Sequence, residues 1–140
     1  MGPAKKVEIT YDQVLHCVAV QERHGKSIAV DALPHCGGKG EEFSPDELVT
    51  IGLGCCMVLS MGVAAKGLKA DLRGTRIQGE VSMSEGQPKR IGTINLVFMM
   101  PRKFSAEDRE RLQKAVAMCP LTHSFHPETA ISVNYVYPEQ

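Results

Sequence analysis

The sequence has no excess of charge of either sign: its 140 residues include 16 lysines and arginines against 16 aspartates and glutamates. A balanced chain carries no electrostatic footprint for a polyanion, so nucleic acid is not an expected partner. Also lacking is an apolar run behind Lys5 and Lys6, so the opening residues do not read as a secretory leader and a cytoplasmic location is expected. The five cysteines, at 17, 36, 55, 56 and 119, are odd in number and irregular in spacing, which argues against a disulfide framework. No further cysteine or histidine stands at zinc spacing near the adjacent pair, so reactive or buried thiols are expected, with no metal and no cofactor. Internal repeats and low-complexity tracts are absent too. A chain of this length suits one domain over residues 1–140 with a sizeable core.

What the chain does have is one long stretch with an uncharged interior, SPDELVTIGLGCCMVLSMGVAAKGL, from Ser44 to Leu68. Ser44 is placed to cap a helix, Pro45 suits its first position, and Glu47 stands where a capping box needs its carboxylate. Lys66 and Gly67 give a cation and a left-handed residue for the closing turn. Between Leu48 and Ala65 there is no charge, so the helix is apolar on every face and belongs in a core or a bilayer. Its length is at the lower edge of a membrane span. The flanking segments alternate and cap like parts of a soluble domain, so a buried central helix with no membrane partner is the better account.

Around it, Val7, Ile9 and Tyr11 alternate with polar residues, and strands are predicted there, over Val14 to Val20 and over Ser27 to Leu33, with a turn at Asp12 and Gln13. Pro34 to Phe43 reads as a loop. Strands are expected again within Leu72 to Met83 and over Ile91 to Met99, joined by a turn at Ser84 to Lys89. Ser105 caps a second helix whose Leu112, Ala115, Val116 and Cys119 share one face, and Pro120 discourages helix beyond them. A last strand runs from Ala130 to Tyr137. The architecture is α+β.

Cys55 and Cys56 lie about eleven residues past the helix cap, too far for the helix terminus to activate either thiol. Adjacent helical residues point about 100° apart, so one of the pair at most faces any given site. Without activation from elsewhere they are two small buried hydrophobes. Met57, Met61, Met99, Met100 and Met118 could line an apolar pocket, although core filling is the commoner use of methionine. His123 and His126 follow Cys119 as candidate proton donors, against the ordinary use of histidine in exposed loops. Cys17 and Cys36 have no assigned task.

The run Ser44-Pro45-Asp46-Glu47-Leu48, then Gly52-Leu53-Gly54-Cys55-Cys56, then Lys66-Gly67-Leu68, followed far downstream by Cys119-Pro120, resembles the OsmC/Ohr family. Its members include osmotically inducible protein C and organic hydroperoxide resistance protein. The resemblance implies an intertwined homodimer in which a long central helix packs against a strongly curved antiparallel sheet. It also implies thiol peroxidase chemistry on organic hydroperoxides. Cys56 matches the peroxidatic cysteine and Cys119 the resolving one, so a Cys56 sulfenic acid would condense with Cys119 to a disulfide that a dithiol reductant reopens. Arg23 is the candidate for the family's thiolate-stabilising arginine. The glutamate that orients it falls on Asp46, one methylene shorter, while Glu47 matches the glutamate of less characterised OsmC-like members. Either carboxylate lies roughly 14 to 15 Å from Cys56 along a straight helix, so a bridging arginine or a second subunit must complete the geometry. Capping needs no catalytic role for Asp46 or Glu47. The alternative function is an OsmC-like binding or redox-sensing protein without efficient turnover.

Overall fold

The computed structural model describes residues 2–139, and the chain divides into two compact units, residues 1–48 and 49–140. In the first, β1 (Val7–Gln13), β2 (His16–Gln21) and β3 (Ser27–Asp31) pair antiparallel in sequence order. The β1–β2 turn falls on Val14 and Leu15, not on Asp12 and Gln13. A register irregularity between Tyr11 and Gln13 displaces it, Leu15 takes φ 57°, and the Leu15 N–H donates to Tyr11 Oη at 2.9 Å. β3 ends at Asp31, short of the predicted Leu33, because this residue is turned inward and spends its groups on the following loop. Its N–H donates to Phe43 O at 3.0 Å, and its Oδ2 accepts from the N–H groups of Glu41 and Glu42.

The loop contains a short 3-10 turn at Pro34–Cys36 and delivers the chain to α1 (Pro45–Leu68). The predicted capping box is present. Ser44 N–H donates to Glu47 Oε1 at 2.8 Å, and Glu47 N–H returns a hydrogen bond to Ser44 Oγ at 3.3 Å. At the far end the helix runs past Gly67, because Leu68 still packs on the core, and Lys69 takes the left-handed closing conformation at φ 55°.

In the second unit, β4 (Arg76–Met83), β5 (Ile91–Met99) and β6 (Ala130–Val136) form one sheet in that order. β4 and β5 are antiparallel, whereas β6 joins β5 in parallel, so the sheet is mixed where an antiparallel one was expected. The cause lies in the connection: α2 (Ala106–Ala117) and a 3-10 turn carry the chain back before it re-enters the sheet, which is what a parallel neighbour requires. The α+β class stands, with one parallel ladder.

Alternation along β5 sends Ile94, Leu96 and Phe98 to one face, where they meet Leu53, Met57 and Met61 of α1 and Leu112 and Val116 of α2. A Cβ at Gly54 would stand 3.8 Å from Ile77 and 3.9 Å from Leu96, ordinary contact distances, so the packing of α1 on the sheet does not depend on this glycine. α1 is not buried all round. Leu53, Met57, Met61 and Ala65 form its buried face, while Leu59 and Val63 on the opposite face are 68% and 72% exposed. By length and composition alone α1 could cross a membrane, the one such helix among the described residues. Its buried face instead forms the core of the second unit.

Candidate active site

Cys56 stands one residue before the buried Met57 and is itself half-buried against the core, whereas Cys55 points to the exposed side of α1. Helical geometry separates the two as expected. Cys119 arrives from the other direction. Leu112 and Val116 bury one face of α2, Met118 closes that helix, and Cys119 continues the face with no exposed surface. Pro120 does end α2, but it also opens a 3-10 turn over Pro120–Ser124, since its fixed φ suits a first helical position. The outcome is that Cys56 and Cys119, 63 residues apart in sequence, hold their sulfurs 3.0 Å apart as free thiols.

Two thiols so close cannot ionise independently. The hydrogen bond shared with Cys119 raises the Cys56 thiol, and burial raises it further, against smaller opposing contributions from the Leu121 N–H and the Ser60 hydroxyl. Burial pushes the Cys119 thiol up as well, but the Cys56 hydrogen bond, the N–H groups of Thr122 and Leu121 and the Thr122 hydroxyl outweigh it and bring that thiol below its ordinary value. The contact thus shifts the two thiols in opposite directions, Cys56 up and Cys119 down.

The remaining candidates stand elsewhere. Arg23 is exposed in the β2–β3 turn of the first unit. Asp46 and Glu47 serve the helix start, where Asp46 Oδ1 accepts from Ser44 Oγ at 2.6 Å and Glu47 Oε1 accepts from both Ser44 N–H and Ser44 Oγ. Within the second unit no arginine is hydrogen-bonded or ion-paired to either sulfur among the described residues. His123 and His126 are exposed, and His126 Nδ1 accepts the Glu128 N–H at 3.0 Å. Met57, Met61 and Met100 fill the core, whereas Met118 is 70% exposed. Among the described residues no three histidine, cysteine or acidic side chains converge as a metal site.

The turn amides after Cys119 were not anticipated. Proline following a cysteine at a helix end is a signal for a tight turn that brings N–H groups near the sulfur, and it could have found them. Nothing in the sequence marks the Thr122 hydroxyl.

A family model described as OsmC-like protein matches residues 38–134, a span that includes both cysteines of the pair. Comparison with curated protein sequences gives no match. Among solved structures, a Psychrobacter arcticus protein named for osmotic stress induction and a detoxification response is similar at TM-score 0.90 and 24% identity, over 97% of this chain and 98% of that one. An OsmC like protein from Mycoplasma pneumoniae is similar at TM-score 0.80 and 19% identity, over 98% of this chain and 99% of that one. The organic hydroperoxide resistance protein OhrB of Bacillus subtilis is similar at TM-score 0.68 and 16% identity, over 95% of this chain and 98% of that one. At these identities the likeness establishes a shared fold.

Proposed function

This chain belongs to the family of OsmC-like proteins, and on that premise we propose that it is a cysteine-dependent peroxidase of organic hydroperoxides. The observation that carries the reading is the 3.0 Å approach of the Cys56 and Cys119 sulfurs. Two free thiols within the distance of a near-attack pair can pass to a disulfide with little motion. Exposure supports Cys56 as the attacking sulfur and Cys119 as the resolving one, because Cys56 is only partly buried and Cys119 has no exposed surface.

The Cys56 thiolate attacks the peroxide oxygen; an S–O bond forms, the O–O bond breaks, and the alkoxide leaves and is protonated to the alcohol. The Cys119 thiolate then attacks the Cys56 sulfenic sulfur; an S–S bond forms, the S–O bond breaks, and hydroxide leaves as water. An external dithiol reduces the disulfide by exchange and is itself oxidised. The Cys56 thiol is raised, so a proton must leave Cys56 before the first step. Arg23 is retained as the cation that would favour this, with Asp46 and Glu47 as the carboxylates that would orient it.

The whole chain works as one OsmC-like domain in this reading, in the cytoplasm and as a homodimer. The exposed apolar faces of α1, at Ile51, Leu59 and Val63, and of β1, at Val7, Ile9 and Tyr11, suit burial against a second copy.

The raised Cys56 thiol favours a second reading, a redox-sensing protein that oxidises without efficient turnover. One experiment tests both. Reduced protein is treated with one equivalent of cumene hydroperoxide, thiols are counted, and peptides are mapped, with and without dithiothreitol recycling. A Cys56–Cys119 disulfide that Cys56→Ser abolishes, with repeated turnover on the dithiol, supports the peroxidase. A single oxidation without turnover supports the sensor, and five unreacted thiols would sink both.

A further inference from the structure

The two cysteines of the pair differ most in what surrounds them. Cys119 has no exposed surface: it continues the face of α2 that Leu112 and Val116 bury, and it is part of the core of the second unit. Cys56 packs on that core from α1 and is only partly buried. Their sulfurs are 3.0 Å apart. A disulfide of about 2.05 Å therefore closes with a shift of about 1 Å, which does not require Cys119 to leave the core. A second copy of the chain can only add cover, so the closure around Cys119 holds in a dimer as well.

A thiolate that opens a disulfide approaches one sulfur in line with the S–S bond and expels the other, so access decides which sulfur is attacked. An attacker bound for Cys119 would have to come from the side opposite Cys56, and with no exposed surface at Cys119 that side is closed by packed protein. We propose that the external thiol reductant attacks the Cys56 sulfur and not Cys119. A bond forms between the reductant sulfur and Cys56, the Cys56–Cys119 bond breaks, and its electron pair leaves on Cys119, which takes up a proton. This deepens the peroxidase reading by assigning the reductant's point of attack, and rests on it. Cys119 attacks when the disulfide forms and is the leaving group when it opens, and it carries no external group at any stage. The mixed disulfide stands on Cys56, within reach of the released Cys119. The second thiol of the reductant must then attack its own bound sulfur before Cys119 returns, forming the reductant's disulfide and releasing Cys56 as a thiolate.

The test uses the full chain, with the Cys56–Cys119 disulfide closed by diamide rather than by peroxide. Excess glutathione is added, samples are quenched in acid at intervals, free thiols are blocked with N-ethylmaleimide, and the peptides are mapped. Glutathione on Cys56 with maleimide on Cys119 is expected to exceed the reverse arrangement by at least about tenfold. Because the return of Cys119 shortens the life of that adduct, a second measurement removes it. Thiolation by glutathione disulfide is timed at Cys56 in Cys119→Ser and at Cys119 in Cys56→Ser. The second is expected to be slower by about tenfold or more in the native protein, and the two rates should converge in urea, where burial is lost. Glutathione found equally or mainly on Cys119, or equal native rates in the two variants, would overturn the assignment and show that the turn after Cys119 opens. A chain in which diamide closes no Cys56–Cys119 bond would overturn it as well. Neither measurement uses peroxide. A protein that fails to turn over cumene hydroperoxide therefore refutes the peroxidase, while the point of attack is judged by where glutathione is found.

Discussion

His16 Nδ1 lies 2.5 Å from Asp31 Oδ1, and the other Asp31 oxygen accepts two backbone N–H groups from the loop that leads into α1. The Asp31 hydrogen bond raises His16, aided by Asp12, whose carboxylate lies 3.7 Å from Nε2, and by Glu42. His16 in turn lowers Asp31, together with the Glu41 and Glu42 amides. A raised histidine contributes stability that is complete below its unfolded value and is lost as pH rises through the folded one. A lowered aspartate contributes stability that is complete above its unfolded value and is lost as pH falls through the folded one. The pair is therefore most effective between the two unfolded values, roughly pH 4 to 6.5. Urea unfolding should show a larger deficit of His16→Asn against wild type at pH 5.5 than at pH 8.5. A deficit equal at both pH values would mean that the contact is not ionic.

The two cysteines should respond oppositely to loss of each other. Removing Cys119 takes away the first cause of the raised Cys56 thiol, so Cys119→Ala should move alkylation of Cys56 by iodoacetamide to lower pH. Removing Cys56 takes away a hydrogen bond that lowers Cys119 while leaving its burial, so Cys56→Ala should move the ionisation of Cys119 to higher pH. Site-resolved alkylation across pH, read by mass spectrometry, checks the first. Thiolate absorbance at 240 nm checks the second. Shifts of the same sign would show that the pair is not coupled through the 3.0 Å contact.

At the start of α1, Ser44 is buried and exchanges hydrogen bonds with both acidic residues that follow it. Ser44→Ala should cost about 1 kcal/mol or more, because the cap is lost and two carboxylates lose a donor. Glu47→Gln keeps an acceptor oxygen for the Ser44 N–H and should cost less than Ser44→Ala. Denaturant midpoints at pH 7 decide this. A glutamine variant as unstable as the alanine variant would mean that the charge, not the hydrogen bond, stabilises the helix start.

Much of this was legible in the residues because local rules wrote it. Ser44, Pro45 and Glu47 specify a helix start on their own, and the alternation of Ile91 to Met99 specifies a strand and its inward face. What was not legible depends on partners distant in sequence. The parallel entry of β6 is decided by the path of α2, and the turn at Val14 and Leu15 by the Tyr11 hydroxyl. α1 misled for a related reason: an uncharged helix reads as buried on all sides, and periodicity carries no information on which apolar face meets the sheet within one chain. At the site, Cys56 and Cys119 were paired by resemblance, and their contact is a fact of space that their spacing did not contain.

Two glycines facing the same interface should respond to alanine with opposite signs. Gly54 lies within α1, where a Cβ would find Ile77 at 3.8 Å and Leu96 at 3.9 Å, ordinary contact distances. Alanine there loses less chain entropy on folding and fills space without collision, so Gly54→Ala should stabilise by about 0.5–1 kcal/mol. Gly79 lies across from it on β4, where a Cβ would stand 3.0 Å from Thr50 Cγ2 and 3.1 Å from Leu96 Cδ2. Both neighbours are buried, so neither can swing into solvent, and the helix must lift from the sheet or the side chains must leave their rotamers. Gly79→Ala should therefore destabilise by about 1–3 kcal/mol. Chemical denaturation of the two single variants measures both signs directly, and a stabilised Gly79→Ala would show that the α1–β4 contact has slack that the glycine does not reveal.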